Sequence, residues 1–188
     1  VIQGYIYEND PSKSSKFLVS FSKLIRLILE NSPKEFITIE TEIDILDKYL
    51  KTQKLRFENR FDFKITVPDE LVFKKVLIPP MITQPFVENS IEHGQLNIVE
   101  NGHIHIEFKE KNEMLYVKIE DNGVGRKESE KNKLKKDHKS MALNITKERV
   151  NIINKKYRSK ATVEIGDLQE GKFSGTLVEL NLPLLTEK

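Results

Sequence analysis

Two kinds of apolar spacing divide this chain, and the change from one to the other near residue 60 limits the folds open to it. From Ser14 to Asn31, Phe17, Phe21, Leu24 and Ile28 recur at intervals of four, three and four, the seam of an amphipathic helix. Pro33 follows its end. A second helix is predicted from Thr38, a suitable N-cap, to about Phe57, with Glu40 and Glu42 in the first turn where the helix dipole favours anions. Its stripe of Ile39, Ile43, Leu46 and Leu50 repeats the first helix's spacing. Two such helices on a short link predict an antiparallel hairpin, which alone buries too little and so calls for a partner, most simply a second copy.

Beyond Asn59 the period becomes two. FDFKITV, GHIHIEFKE, MLYVKIED, ATVEIG and TLVELNL all alternate as half-buried strands, with a hairpin signal at Lys111 to Glu113. QPFVENSIEHG (84–94) and MALNITKERVNIINKKY are helical in pattern, whereas 126–139 is almost free of apolar residues and reads as a mobile loop. The fold class is therefore α+β, with a helical piece in front of a mixed layer of strands and helices.

Composition narrows the function. The 188 residues suit one good-sized core or a domain with a helical appendage. Lysine and arginine number 31 against 29 acids, interleaved along the chain, so nucleic acid is not an expected partner. Cysteine is absent, which removes disulfide and thiolate chemistry and fits a reducing, cytoplasmic setting. No apolar run approaches the roughly 20 residues of a membrane span, so this stretch is expected to make no membrane contact.

Chemistry is suggested at two places. In DNGVG (121–125) an acid ends an alternating strand and two glycines follow; the Asp121 carboxylate can accept from an amino group, and Gly123 and Gly125 let the backbone lie against a planar ring or a phosphate. Taken alone, Asp-Asn-Gly after a strand is more often a plain turn. On the helix 84–94, Asn89 and His93 lie one turn apart with Glu92 beside them, and Glu88 is one turn below Glu92. An Asn carbonyl suits Mg2+, although a solvated helix face would look the same. His103 and His105 share one strand face without a third ligand nearby and are read as strand surface.

In order, QPFVENSIEHG, DNGVG, a helix bearing ERV, and GTLVELNLP resemble the ATP-binding domain shared by sensor histidine kinases, DNA gyrase, Hsp90 and MutL proteins. The variant IPPMITQPFVENSIEHG resembles sensor kinases of the autolysis-regulator type, and LIRLILENS with YLKTQKLRFENRF is similar to the second half of their dimerisation region. The resemblance implies a partial dimerisation region over 1–58 and, over 59–188, a two-layer α/β sandwich of the histidine-kinase (Bergerat) ATPase type. It implies ATP and Mg2+ as cofactors, with Asn89 on the metal, Asp121 on the adenine amine and Thr176 of the Gly175-Thr176 pair holding a water beside Asp121. His93 falls near the nucleotide, and Glu88 is placed to orient the phosphoryl acceptor, although the acid of gyrase-like relatives would fall at Pro85.

Some features depart from the pattern. Glu92 stands where the family often has a phosphate-seeking Lys, and the Gly-x-Gly-Leu phosphate loop is replaced by Ser140-Met141-Ala142-Leu143, so that Ser140, Ala142 and Leu143 would meet the phosphates. Lys135, Lys136 and Lys139 either compensate or form a solvated loop. The acceptor histidine of such kinases would fall upstream of Val1. The expectation is the catalytic portion of a homodimeric, membrane-anchored sensor kinase that relays phosphate to a response regulator. The alternatives are a pseudokinase or scaffold, and a gyrase- or Hsp90-like hydrolytic clamp.

Overall fold

The computed structural model describes residues 11–96, 99–126, 137–168 and 174–187, except the side chains of 137–143. Helix α1 (Pro11–Asn31) leads through β1 (Ile37–Thr38) into α2 (Ile39–Arg56) and packs against it. Thr38 is the predicted N-cap, and its hydroxyl accepts from the Thr41 amide. Of the α1 seam only Leu24 is fully buried, while Leu18, Val19, Phe21, Ile25 and Leu29 are exposed. On α2, Ile39, Leu46 and Leu50 are buried as the spacing predicts, but so are Ile45, Tyr49 and Glu42. This wider face joins the same apolar core as the strands. Glu42 thus serves tertiary bonds as well as the helix dipole: its carboxylate accepts from the Met81 amide at 2.8 Å and the Thr83 hydroxyl at 2.7 Å.

The main sheet contains β2 (Phe61–Thr66), β4 (Gly102–Lys111), β5 (Met114–Asp121), β6 (Thr162–Asp167) and β7 (Thr176–Pro183), in the order β2-β4-β5-β7-β6. Only β2 and β4 pair in parallel; the crossover between them carries α3 (Asp69–Phe73), β3 (Val76–Ile78) and α4 (Gln84–Glu92). A small antiparallel sheet, β1-β3-β8, places β3 between β8 (Leu185–Thr186) and β1, the strand that leads into α2. Every run expected to alternate is a strand, and alternation decides the faces. Ile104, Ile106 and Phe108, Leu115, Val117 and Ile119, and Val178, Leu180 and Leu182 form the buried side, against which the helices lie. His105, Glu107, Lys118 and Glu120 are on the other. The architecture is a two-layer α/β sandwich behind a helical hairpin.

The β4–β5 turn is tighter than the three residues predicted. Register runs Lys111 opposite Met114, which leaves Asn112 and Glu113 alone at the bend, both left-handed with φ of 51° and 59°. That is the type I′ geometry that matches strand twist and favours Asn-Gly. Helix α5 (Asp137–Tyr157) starts earlier than its apolar pattern predicts, so the last residues of the expected loop are helical. Replacing Glu113 by Gly relieves the strain of a Cβ at positive φ. We expect Glu113→Gly to stabilise the fold by about 0.5–1 kcal/mol, seen as a higher melting temperature; a lower one would contradict this turn.

Candidate functional site

Asp121 is the fourth inward position of β5, after Leu115, Val117 and Ile119, so strand geometry carries a carboxylate into the core, where it is 1% exposed. Burial without partners would be costly, and the site supplies them. Oδ2 accepts from the Ser90 hydroxyl at 2.6 Å, and Oδ1 accepts from the Gly123 amide at 2.9 Å and the Thr176 amide at 3.2 Å. Desolvation nevertheless pushes the carboxyl above the ordinary aspartate range; the Ser90, Gly123 and Thr176 hydrogen bonds pull the other way. One side chain therefore joins α4, the turn after β5 and the start of β7.

The turn itself is built for close approach. Asn122 anchors it to the start of β4, accepting from the His103 amide at 2.7 Å and donating to the Asn101 carbonyl at 2.9 Å. Gly123 lies against Gly94, where a Cβ would come within 2.5 Å of the Gly94 carbonyl oxygen, and Val124 donates to that oxygen at 3.0 Å. Gly175 has φ of +63°, and its amide donates to the Gly123 carbonyl. Gly125 sits over the Ser174 side chain. Gly123, Gly175 and Thr176 thus meet Asp121 at one end of the sheet, with Gly125 beside Ser174 and Gly175.

Helix α4 supplies the facing wall. Pro85 lies in its first turn, where the missing amide costs nothing. Phe86, Val87, Ser90 and Ile91 form the buried face, so Ser90 is a polar residue in an apolar register. Sequence reasoning passed over Ser90, although a serine at a core position of an amphipathic helix signals a buried hydrogen-bond partner. Asn89 adjoins Ser90 and is half-buried, and its carbonyl receives the amides of His93 and Gly94 where the helix ends. Glu88 and Glu92 point away from Ser90, toward α2. Glu92 pairs with Arg56 at 3.5 Å, and burial, then the charge of Glu92, push the Glu88 carboxyl up while Arg56 opposes them. Tyr49 belongs to the same cluster, its phenol pushed up by burial and by Glu88 and Glu92.

The stretch Ser140 to Leu143 lies within the first two turns of α5 and not in front of that helix, since α5 already begins at Asp137. The side chains of Ser140, Ala142 and Leu143 lie outside the described residues, as do Lys135 and Lys136. His105 Nε2 is 3.0 Å from the Thr66 hydroxyl and its Nδ1 is 3.8 Å from Glu120; His103 is exposed.

The chain is similar to known proteins. A family model described as histidine kinase matches residues 1–61. The chain is 33% identical over 116 residues to the sensor protein LytS of Staphylococcus epidermidis, covering 62% of this chain and 19% of that protein. It is 32% identical over 117 residues to the sensor histidine kinase BtsS of Escherichia coli, covering 62% and 20%. The chain thus spans about a fifth of the length of the curated relatives it matches. Among solved structures, the histidine kinase domain of the blue-light activated histidine kinase EL346 from Erythrobacter litoralis superposes with a TM-score of 0.55 at 14% identity, covering 95% of this chain and 83% of that one. The mycobacterial sensor histidine kinase MprB gives 0.54 at 13%, covering 81% and 99%. The family match over the first third of the chain, the sequence relatives and the likeness of fold together support a sensor histidine kinase of the LytS type.

Proposed function

We propose that this chain is the ATP-binding catalytic portion of a two-component sensor kinase, which passes the γ-phosphoryl of MgATP to a histidine outside the 188 residues for relay to a response regulator. The observation that carries the reading is the buried Asp121 carboxylate, held by three donors beside a glycine-lined turn. A carboxylate has about four acceptor positions. Ser90 and the Gly123 and Thr176 amides take up three, the Thr176 hydroxyl also lies within reach of the carboxylate, and Oδ2, which accepts from Ser90, would meet the exocyclic amine of adenine. Guanine has no donor at that position, so the same atom discriminates between the bases.

The donors on α4 fit the rest of the nucleotide. Ser90 fixes α4 to Asp121, and its neighbour Asn89 would then hold the Mg2+ of the triphosphate with a carboxamide oxygen. Bound metal would supply charge neutralisation during transfer. Glu88 lies toward α2 with its carboxyl raised, on the side from which the acceptor of a hairpin would come, and would orient that imidazole. The exposed apolar row Leu18, Phe21, Ile25 and Leu29 on α1 would bury against a second copy to complete a helical bundle. Membrane anchorage, in this reading, belongs to the rest of a longer protein; among the described residues no helix is long and apolar enough to cross a membrane.

Calorimetry with MgATP tests the pocket. Asp121→Asn puts an amide donor or a weaker neutral acceptor against the adenine amine, so affinity should fall at least about tenfold; unchanged binding would overturn the assignment, and a parent chain that takes up no ATP would favour a scaffold. The raised pKa sets a pH dependence. The carboxylate is a stronger acceptor when ionised, and protonation would set an O–H donor against the amine, so affinity should weaken as pH falls through the folded value, at a higher pH than an ordinary aspartate would show, and Asp121→Asn should remove that dependence. For the hairpin, Ile25→Glu with Leu29→Glu should lower the self-association measured by sedimentation, while a parent that remains monomeric at high concentration would refute the bundle.

A further inference from the structure

The carboxylate of Glu42 is completely buried, and no role in binding nucleotide explains it. It comes from the second hairpin helix, yet every hydrogen bond it makes goes to the turn 81–83 from which α4 departs. Met81 donates its amide at 2.8 Å, and Thr83 donates its hydroxyl at 2.7 Å and its amide at 3.5 Å. Met81 is left-handed there, with φ of 53°. Thr83 occupies the N-cap of α4, but its hydroxyl is spent on Glu42 and does not cap the helix. Serving Glu42 is therefore favoured at this turn over serving the helix locally.

A second residue holds the same turn from the opposite side. Arg149 of α5 donates to the Pro80 carbonyl at 3.0 Å, and its charge favours the Glu42 carboxylate against the cost of desolvation. Three helices converge on four residues: α2 through Glu42, α5 through Arg149, and α4, which starts from the turn itself. At the far end of α4, Arg56 of α2 pairs with Glu92. Helix α2 thus holds α4 near both of its ends, and α4 carries Asn89 and Ser90.

We propose that Glu42, with Arg149, is a positioning residue for the nucleotide site: it fixes where α4 begins, so that the place of Asn89 is set by the second hairpin helix. The inference rests on the nucleotide reading above. A movement of α2 relative to the sheet pulls on the turn and shifts Asn89, whereas Asp121, held by Gly123 and Thr176 from the sheet side, keeps two of its three bonds. Loss of the tie should therefore weaken the metal-dependent part of ATP binding more than the recognition of adenine.

The test measures MgATP and adenosine binding by calorimetry for the parent, Glu42→Gln, Thr83→Val and the double variant, with amide exchange to follow α4 and the sheet separately. Glu42→Gln keeps one carbonyl acceptor but sets an amide donor against another. We expect MgATP affinity to fall about tenfold, the scale seen when the groups behind a ligand are removed, with adenosine affinity falling less than about threefold. Exchange should quicken over 81–92 and stay slow in β4 and β5. Thr83→Val, which removes one donor and keeps the shape, should move the same way by a smaller factor, and the double variant should be no worse than Glu42→Gln, because both act through one bond. Lys51→Ala, at an exposed ion pair on α2, should change nothing. If the parent binds MgATP and Thr83→Val and Glu42→Gln bind it equally well, or if adenosine and MgATP weaken together with exchange rising throughout the sheet, the proposal is wrong. If Glu42→Gln does not fold, Thr83→Val alone decides between these outcomes. A parent that binds no MgATP overturns the nucleotide reading itself, and the inference with it.

Discussion

A charged group in a protein interior must be met by donors, and this fold is organised around meeting that demand for Asp121. Its carboxylate ends one strand, receives the first amide of another and accepts from a helix packed across the sheet. The Thr176 bond needs β5 and β7 in place and the Ser90 bond needs β5 and α4, so together they report on the assembled layer and not on any one element. Glu42 repeats the arrangement at the other end of α4, with the turn 81–83 supplying the donors. Among the described residues the two acids are the buried charged side chains, and α4 is suspended between them.

On the proposed reading, that arrangement would divide the labour of the site. Asp121 is tied mostly to the sheet and Asn89 belongs to the helix, so purine recognition and metal binding would depend on different parts of the scaffold. One departure from the expected kinase pattern has a structural counterpart: Glu92 is engaged by Arg56, so the acid at that position is balanced by a cation from the neighbouring helix.

Much of this was legible in residue spacing. Period-two runs became strands whose burial alternates, and Thr38 capped α2. Motifs brought together by the fold, Asp121 with the glycines and Thr176, were those that the family resemblance had selected. What spacing missed were polar residues in apolar registers. Ser90 and Glu42 sit on buried helix faces, and sequence alone does not name the partner that makes such burial tolerable. The start of α5 was missed for a different reason: its first turn, Asp137 to Ser140, has no apolar residue, so helical periodicity gave no signal there. Two-residue left-handed bends such as Asn112-Glu113 are likewise weakly announced when the glycine they favour is absent.

The parallel pairing of β2 with β4 has a kinetic side. Phe61 meets Gly102 only after the intervening crossover has been laid on the sheet, so this edge is closed late and at an entropic cost that the neighbouring hairpin does not bear. A chain emerging from synthesis would form the β4–β5 hairpin first and zip β2 onto it afterwards. Until then, the inner edge of β4 presents unpaired amides and carbonyls, and the second helix, which precedes β2 in the chain, has no finished surface on which to rest.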